Sequence, residues 1–429
     1  MKLPSHLLPI IPLVASLMTA HAATHAVLPG TSIQTKINLA VAGDIVAIFG
    51  GTYNEDITIN KAIRLVEVSG QQVTITGNVT FSGVTDCPPF DGFTVGSSGR
   101  GIWVANTTGL VLRNVDARNG SGIRVDGSSV LAISGGQLST LNQTAGMLHM
   151  AGVAVAGNLE TQTGAEKTVA FRTTVSGDAV LRSKRAWVGY SEARSIVFTD
   201  ANAAKLMVVG CLVDRQGGEA SGIYCNVSNS QIQLVNNRVV RVGYAWYEDG
   251  ENGIDLRGGG NKAFVSNNYC QLIYYGQDRG VRGDGIYVRD FSDATIINNI
   301  VVGAKHGISA PFGVLAQNNL YWASPWSARE ANGVIAEGTL YADPLFVENE
   351  APKLQAGSPC INAGTPDPRY NDRDGSRNDI GPAGGAWFDP DGWTTENPVV
   401  ISFDLSPDMV LEGIDTEVIL SEGQAVSAP

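Results

Sequence analysis

Two short runs carry the side chains best suited to chemistry: Gly253-Ile254-Asp255-Leu256-Arg257 and Gly285-Ile286-Tyr287-Val288-Arg289. Side chains on an extended strand alternate between its faces. If Ile254 and Leu256 point into a core, Asp255 and Arg257 point out, and so do Tyr287 and Arg289. An earlier copy, Gly222-Ile223-Tyr224-Cys225-Asn226, turns Tyr224 and Asn226 outward. Lys305-His306 stands just before a later copy, Gly307-Ile308-Ser309-Ala310. Arginine forks pair with carboxylates, and aromatic rings accept the apolar face of a sugar. The pattern suits an acidic sugar polymer. The same Asp255 and Arg257 also fit a plain charge pair on a solvated strand, and His306 a turn residue.

Two inserted loops are expected to wall this patch. One holds Tyr244, Trp246, Tyr247 and Glu251; the next holds Tyr274, Tyr275, Arg279, Arg282 and Asp284. Stacked strands lie about 4.8 Å apart, so loops from adjacent coils emerge side by side. The loop aromatics, Arg279, Tyr287 and His306 are read as substrate-binding residues in one continuous groove on one flank. Carboxylate oxygens are natural Ca²⁺ ligands, which makes Glu251 and Asp284 the candidate metal ligands. Asn371, Asp372, Asp374, Asn378 and Asp379 are also acidic or amide-rich but lack the spacing of an EF-hand loop, so turn chemistry accounts for them.

The elements that must position these residues repeat. Gly-Ile recurs at Gly101, Gly122, Gly222, Gly253, Gly285 and Gly307, and Asn237, Asn268, Asn299 and Asn319 follow 31, 31 and 20 residues apart. Units of this size, each with short β-branched strands and Gly, Asn or Asp bends, cannot bury a face alone and must stack. This predicts an all-β chain folded as a right-handed parallel β-helix from about Ile33 to Phe346. Its expected inward columns are Cys225–Leu256–Val288–Ala310 and Leu212–Val239–Cys270–Val301. The asparagines are expected to take left-handed bends and to satisfy backbone groups between coils. The pattern fades between Leu138 and Lys205.

Composition sets the outer limits. The chain has 429 residues, 51 glycines, 43% hydrophobic and 16% charged residues, too apolar for disorder and without the glycine period of collagen. A formal charge of −12 argues against nucleic acid as a partner and calls for a local basic strip if an acidic polymer is to bind. Residues 1–22 read as a signal peptide: Lys2, an apolar stretch from Leu7 to Leu17, and Ala20-His21-Ala22 at the cleavage site. No later stretch reaches the length of a membrane span. The expected location is outside the cell, at its surface or in the periplasm, as a monomer. Five cysteines, an odd number, read best as buried thiols. The expected division is 1–22, a β-helix over 23–345, a closing segment over 346–385, and an acidic tail or small β module over 386–429.

Two stretches resemble known families. Ile33-Gln34, Gly43-Asp44-Ile45-Val46, Gly51-Thr52-Tyr53 and Ile57-Thr58-Ile59 look like the opening coils of secreted, pectate-lyase-like right-handed β-helix proteins. Gly357-Ser358-Pro359, Asn362-Ala363-Gly364, Asp374-Gly375 and Asp379-Ile380-Gly381 resemble the closing segment of the choice-of-anchor Q group of bacterial surface or secreted β-helix proteins. The resemblance spans residues 31 to about 381. It implies export, a polysaccharide partner and a polysaccharide lyase-like activity on a uronate-containing polymer, optionally aided by Ca²⁺. Such lyases use Lys or Arg as base, which points to Arg257, Arg289 and Lys305, with Asp255 beside them, as the catalytic set. Two alternatives stay open. One is a non-catalytic surface or adhesive glycan binder; the other is a polygalacturonase-like glycosidase, whose paired-Asp element is missing here.

Overall fold

The structure, a computed structural model, describes residues 22–68, 70–216, 220–243, 251–273, 283–290, 293–311, 313–322, 333–347, 352–390 and 392, with the backbones of strands Val399–Ser406 and Leu420–Val426. Its body is a parallel β-helix of about 14 turns, right-handed as expected. Each regular coil contributes one strand to each of three parallel sheets, as Ile254–Arg257, Lys262–Ser266 and Tyr269–Leu272 do. The inward apolar residues stack directly. Ile223 pairs with Ile254, Ile254 with Ile286, and Ile286 with Ile308, while Cys225, Leu256 and Val288 form the next column inward. All seven are essentially inaccessible to solvent. Among the described residues, no helix is long and apolar enough to cross a membrane.

The repeated glycine is required by the closeness of the coils. A Cβ on Gly253 would sit 2.6 Å from the Gly285 carbonyl oxygen, and one on Gly285 equally close to that of Gly307. No side chain fits there.

At the bend between the second and third sheets, each asparagine pair divides the work. The first residue takes the left-handed conformation: φ is 55° at Asn236, 56° at Asn267, 59° at Asn298 and 52° at Asn318. The second residue turns inward. The amide of Asn237 donates to Asn268 Oδ1 at 3.0 Å, that of Asn268 to Asn299 Oδ1 at 2.9 Å, and that of Asn299 to Asn319 Oδ1 at 2.9 Å. Each Nδ2 closes the bend on a backbone carbonyl, as Asn268 does on Leu234 and Ser266. These are groups whose burial without a partner costs roughly 1–3 kcal/mol each.

Three features correct the sequence reading. The second inward column begins at Val213, not Leu212: Val213 pairs with Val239, and Leu212 with Arg238 on the outer side. Between Leu138 and Lys205 the stacking does not lapse, since Leu141, Leu159, Ala179, Ile196 and Ile223 pair in succession. There the strands Leu141–Ala151 and Leu159–Phe171 carry on from the first sheet into the second, with register shifts at the corner, so the bend signals vanish from the sequence. Ile33–Leu39 is not a strand but a helix that buries Ile33 and Ile37 in the core beside the first strands. Ser32 caps it, and Glu55 accepts from the amides of Ile33 and Gln34 at its start. The closing segment forms a strap on the outside of the coils. It runs back along the Asn bend: Asn318 donates to Ala363, Asn298 accepts from Thr365, and Asn267 donates to Asp379 and Gly381. Asn236 then donates to Pro382 and Gly384. This strap buries Cys360 and Ile380 against Tyr269, Ile300 and Leu320, which is why third-sheet strands are apolar on both faces.

All five cysteines are buried and unbonded to one another. Burial pushes the thiols up, to about 11 at Cys87 and Cys360, so they act as apolar filler. The two strand-like runs of the acidic C-terminal stretch pair as an antiparallel hairpin.

Candidate functional site

The outward face of the first sheet carries the residues that the strand alternation placed there. Tyr224, Asp255 and Tyr287 are direct neighbours across three coils, and Asn226 pairs with Arg257. Arg257 reaches back over this column. Its guanidinium lies 5.4 Å from the Tyr224 ring centroid and 5.9 Å from that of Tyr287, so the cation is layered between two aromatic faces.

Asp255 holds it there. Its Oδ1 accepts from Arg257 Nε at 2.9 Å and its Oδ2 from Nη2 at 3.0 Å. The same Oδ2 accepts from Asn252 Nδ2 at 3.0 Å and from Ser221 Oγ at 3.3 Å. Asp255 was expected on the open face; it is 1% exposed, sealed beneath the side chain it orients. The bonds from Asp255 hold the Arg257 guanidinium above its ordinary range, against the opposing effect of burial. Arg257 is therefore a fixed cation with 37% of its side chain open to solvent, and unsuited to giving up a proton.

A second row of polar groups stands at the bend just before these strands. The Asn252 amide donates to Ser221 Oγ at 3.1 Å, and the Asp284 amide donates to Asn252 Oδ1 at 2.9 Å. His306 Nδ1 lies 2.7 Å from Asp284 Oδ1. With Nδ1–H donating to Asp284, Nε2 is left as an acceptor on a ring that is 29% exposed. One network thus joins Arg257, Asp255, Ser221, Asn252, Asp284 and His306. Lys305 beside it is exposed, its amide donating to Gly283.

Of the expected site residues, Asp255, Arg257, Tyr287, Asp284 and His306 belong to this network or touch it. Arg289 is exposed and pairs with Asp290 at 3.4 Å, its amide donating to Leu256. Tyr244, Trp246, Tyr247, Tyr274, Tyr275 and Arg279 lie outside the described residues. Their two segments connect third-sheet to first-sheet strands in consecutive coils, between Val242 and Ile254 and between Leu272 and Ile286. Ser221 and Asn252 were missed by the sequence reading. Their signal was there: each, like Asp284 and His306, is the residue directly before a repeat glycine.

Glu251 and Asp284, the expected Ca²⁺ ligands, each have another ionisable neighbour. Asp284 is taken by His306, while Glu251 exerts its charge on the buried Arg215. Among the described residues, no three His, Cys, Asp or Glu side chains form a group fit for a metal ion.

No family model and no curated protein matches the chain. Solved structures similar to it include the pectate lyase Pel9A, at 13% identity and a TM-score of 0.28, with 84% of this chain and 96% of that one covered. Another is the PL6 family alginate lyase AlyGC, at 13% identity and a TM-score of 0.25, covering 73% of this chain and 49% of that one. A mutant of AlyGC gives 15%, 0.27, 75% and 50% in the same order. The chain thus spans about half the length of AlyGC, and no residue role is carried over from any of them.

Proposed function

We propose that the protein is exported, directed at carbohydrate, and acts in the manner of a polysaccharide lyase on a uronate-containing polymer. The observation that carries this reading is the Arg257 cation, layered between Tyr224 and Tyr287 and locked by the buried Asp255. Such a platform stacks on a sugar ring and offers fixed positive charge to its carboxylate. Asp255 is the positioning residue of this arrangement. Exposed Lys305 adds local positive charge for a polyanion to meet on a chain of net charge −12, while the charge of Arg289 is offset by Asp290.

Elimination requires a base for the proton at C5 of the uronate. The electron pair from that C–H bond forms the C4–C5 double bond, the C4–O bond breaks, and the departing oxygen takes a proton. We assign that role to His306, oriented by Asp284 with Nε2 as acceptor, or to the neighbouring Lys305. Neutralisation of the uronate carboxylate by Arg257 makes the C5 proton more acidic. The glycosidase alternative would need two open carboxyl groups, and among the described residues Asp255 is sealed under Arg257 and Asp284 is tied to His306. The glycan-binding alternative is favoured by the same self-contained Asp255–Arg257 pair, which needs no reaction to explain it.

The deciding experiment is an absorbance assay for unsaturated uronates on alginate, pectate and glycosaminoglycans, with and without EDTA. A rising ultraviolet signal supports elimination. New reducing ends without that signal indicate hydrolysis, and binding without product leaves the non-catalytic reading.

A further inference from the structure

The Arg257 arrangement recurs on the same face, far from the first. Gly122-Ile123-Arg124-Val125-Asp126 places an arginine and an aspartate two residues apart on a first-sheet strand, as Asp255 and Arg257 are. Arg124 lies over an aromatic ring of the adjacent coil, its guanidinium 5.5 Å from the Trp103 centroid. Asp126 holds it, with Arg124 Nη2 3.0 Å from Oδ2. Asp126 is itself fixed by Thr144 Oγ1 at 2.9 Å and the Gly127 amide at 2.8 Å. An aromatic ring, an arginine over it and a carboxylate bonded to that arginine are present in both places, with one ring and one bond at Arg124 where Arg257 has two of each.

Register joins the two platforms. Trp103, Arg124, Asn142, Glu160, Val180, Val197 and Tyr224 are successive partners along the outward side of the first sheet. Six coil steps of about 4.8 Å put Trp103 and Tyr224 roughly 29 Å apart. Asn142, Glu160, Val180 and Val197 are each partly open to solvent, and Glu160 is the one charged residue among them. On its other side Trp103 meets only Thr80 and then Thr58, both short, and the indole is 44% exposed. A lone exposed tryptophan needs no explanation. One bearing an arginine that a neighbouring carboxylate holds in place is a built surface.

We propose that Trp103 and Arg124 form a second sugar platform, so that one polymer chain lies along the axis of the β-helix and touches both. This deepens the proposed function and rests on it. The consequence is selectivity for length: a chain that spans both platforms gains a second attachment at high effective concentration, whereas a short oligosaccharide gains none.

The test is binding of the full chain to alginate and pectate polymers and to short oligosaccharides of each, by calorimetry, in wild type, Trp103→Ala, Arg124→Ala and Trp103→Tyr. Trp103→Ala is expected to weaken polymer binding about tenfold and to leave oligosaccharide binding unchanged, with Trp103→Tyr largely restoring it. Polymer binding untouched by Trp103→Ala and Arg124→Ala sinks the second platform while leaving Arg257 in place. Equal weakening for short and long chains also sinks it, since Trp103 would then not act through length. A wild type that binds no polymer at all removes both this inference and the function on which it rests.

Discussion

Two polar ladders climb the same coils at different bends, and they are built on opposite plans. At one bend the rungs are identical: Asn237, Asn268, Asn299 and Asn319, each inaccessible and each bonded to the next. At the other they change at every step, from Ser221 to Asn252 to Asp284 to His306, and the last is partly open. Uniform rungs are the cheapest way to close a repeated set of backbone groups. A hydroxyl, an amide, a carboxylate and an imidazole in equivalent places do something that repetition does not require. The outsides differ too. The strap covers the Asn bend through Asn236, Asn267, Asn298 and Asn318, whereas the varied bend is where the long inserted segments leave the coils.

Substitution at the uniform ladder should give the largest effect, and on stability alone. Asn268→Leu strips the partners of Asn237 and of the Leu234 and Ser266 carbonyls, and should cost about 3 kcal/mol or more in denaturant unfolding. If the midpoint barely moves, the ladder is not what holds the bend. At the varied site turnover should suffer as well. Arg257→Ala should lower turnover on a uronate polymer about a hundredfold, some 2.7 kcal/mol of barrier, and should cost about 3 kcal/mol in stability, because the buried Asp255 loses its cation. Unchanged turnover would discard Arg257 as the carboxylate partner. Asn252→Ala comes next. It loosens Asp255 and the Asp284 amide together, and should cost about 1 kcal/mol in stability. Its effect on turnover should fall short of that of Arg257→Ala, because it reaches the arginine and His306 only through Asp255 and Asp284.

How much of this could be read from the sequence follows from the same contrast. The inward columns and the asparagine ladder were legible because burial repeats with the coil: Leu256 and Asn268 look alike in every turn. The one-residue slip at Leu212 came from Leu212-Val213, where both residues are apolar and alternation does not say which points in. Asp255 was placed on the correct side but assigned the wrong exposure. Alternation gives direction, while depth came from Arg257, Ser221 and Asn252 folding over it. Ser221 and Asn252 escaped notice because neither residue type suggests chemistry by itself. The double apolar faces of Tyr269, Ile300 and Leu320 could have announced the strap, had both faces of the third sheet been asked for partners.

The smallest effect concerns pH, and it tests whether the Asn bend is structural on its outside as well. The strap carries Asp372 and Asp379 half-buried, and burial pushes both carboxyls above the usual carboxylate range despite the amide bonds that oppose it. A carboxyl whose pKa is raised by folding binds its proton more tightly in the native state. Docking is then favoured while the pH is below the unfolded value, near 4, and the advantage is lost as pH rises through the raised native value. Asp44, beside the first strands, has the opposite sign. The Val41 and Ala23 amides and His25 lower it to about 2, so its contribution is present above about pH 4 and is lost as pH falls toward 2. Hydrogen exchange between pH 4 and 6 should show the amides of Gly381, Gly384 and Gly385 opening slightly more readily at the higher pH, once corrected for intrinsic rates. The amides of Val41 and Ile45 should not follow. Asp379→Asn should flatten the change in the strap without altering polymer binding. A change in binding instead would mean that the two bends are coupled, and the division of labour between the ladders would have to be given up.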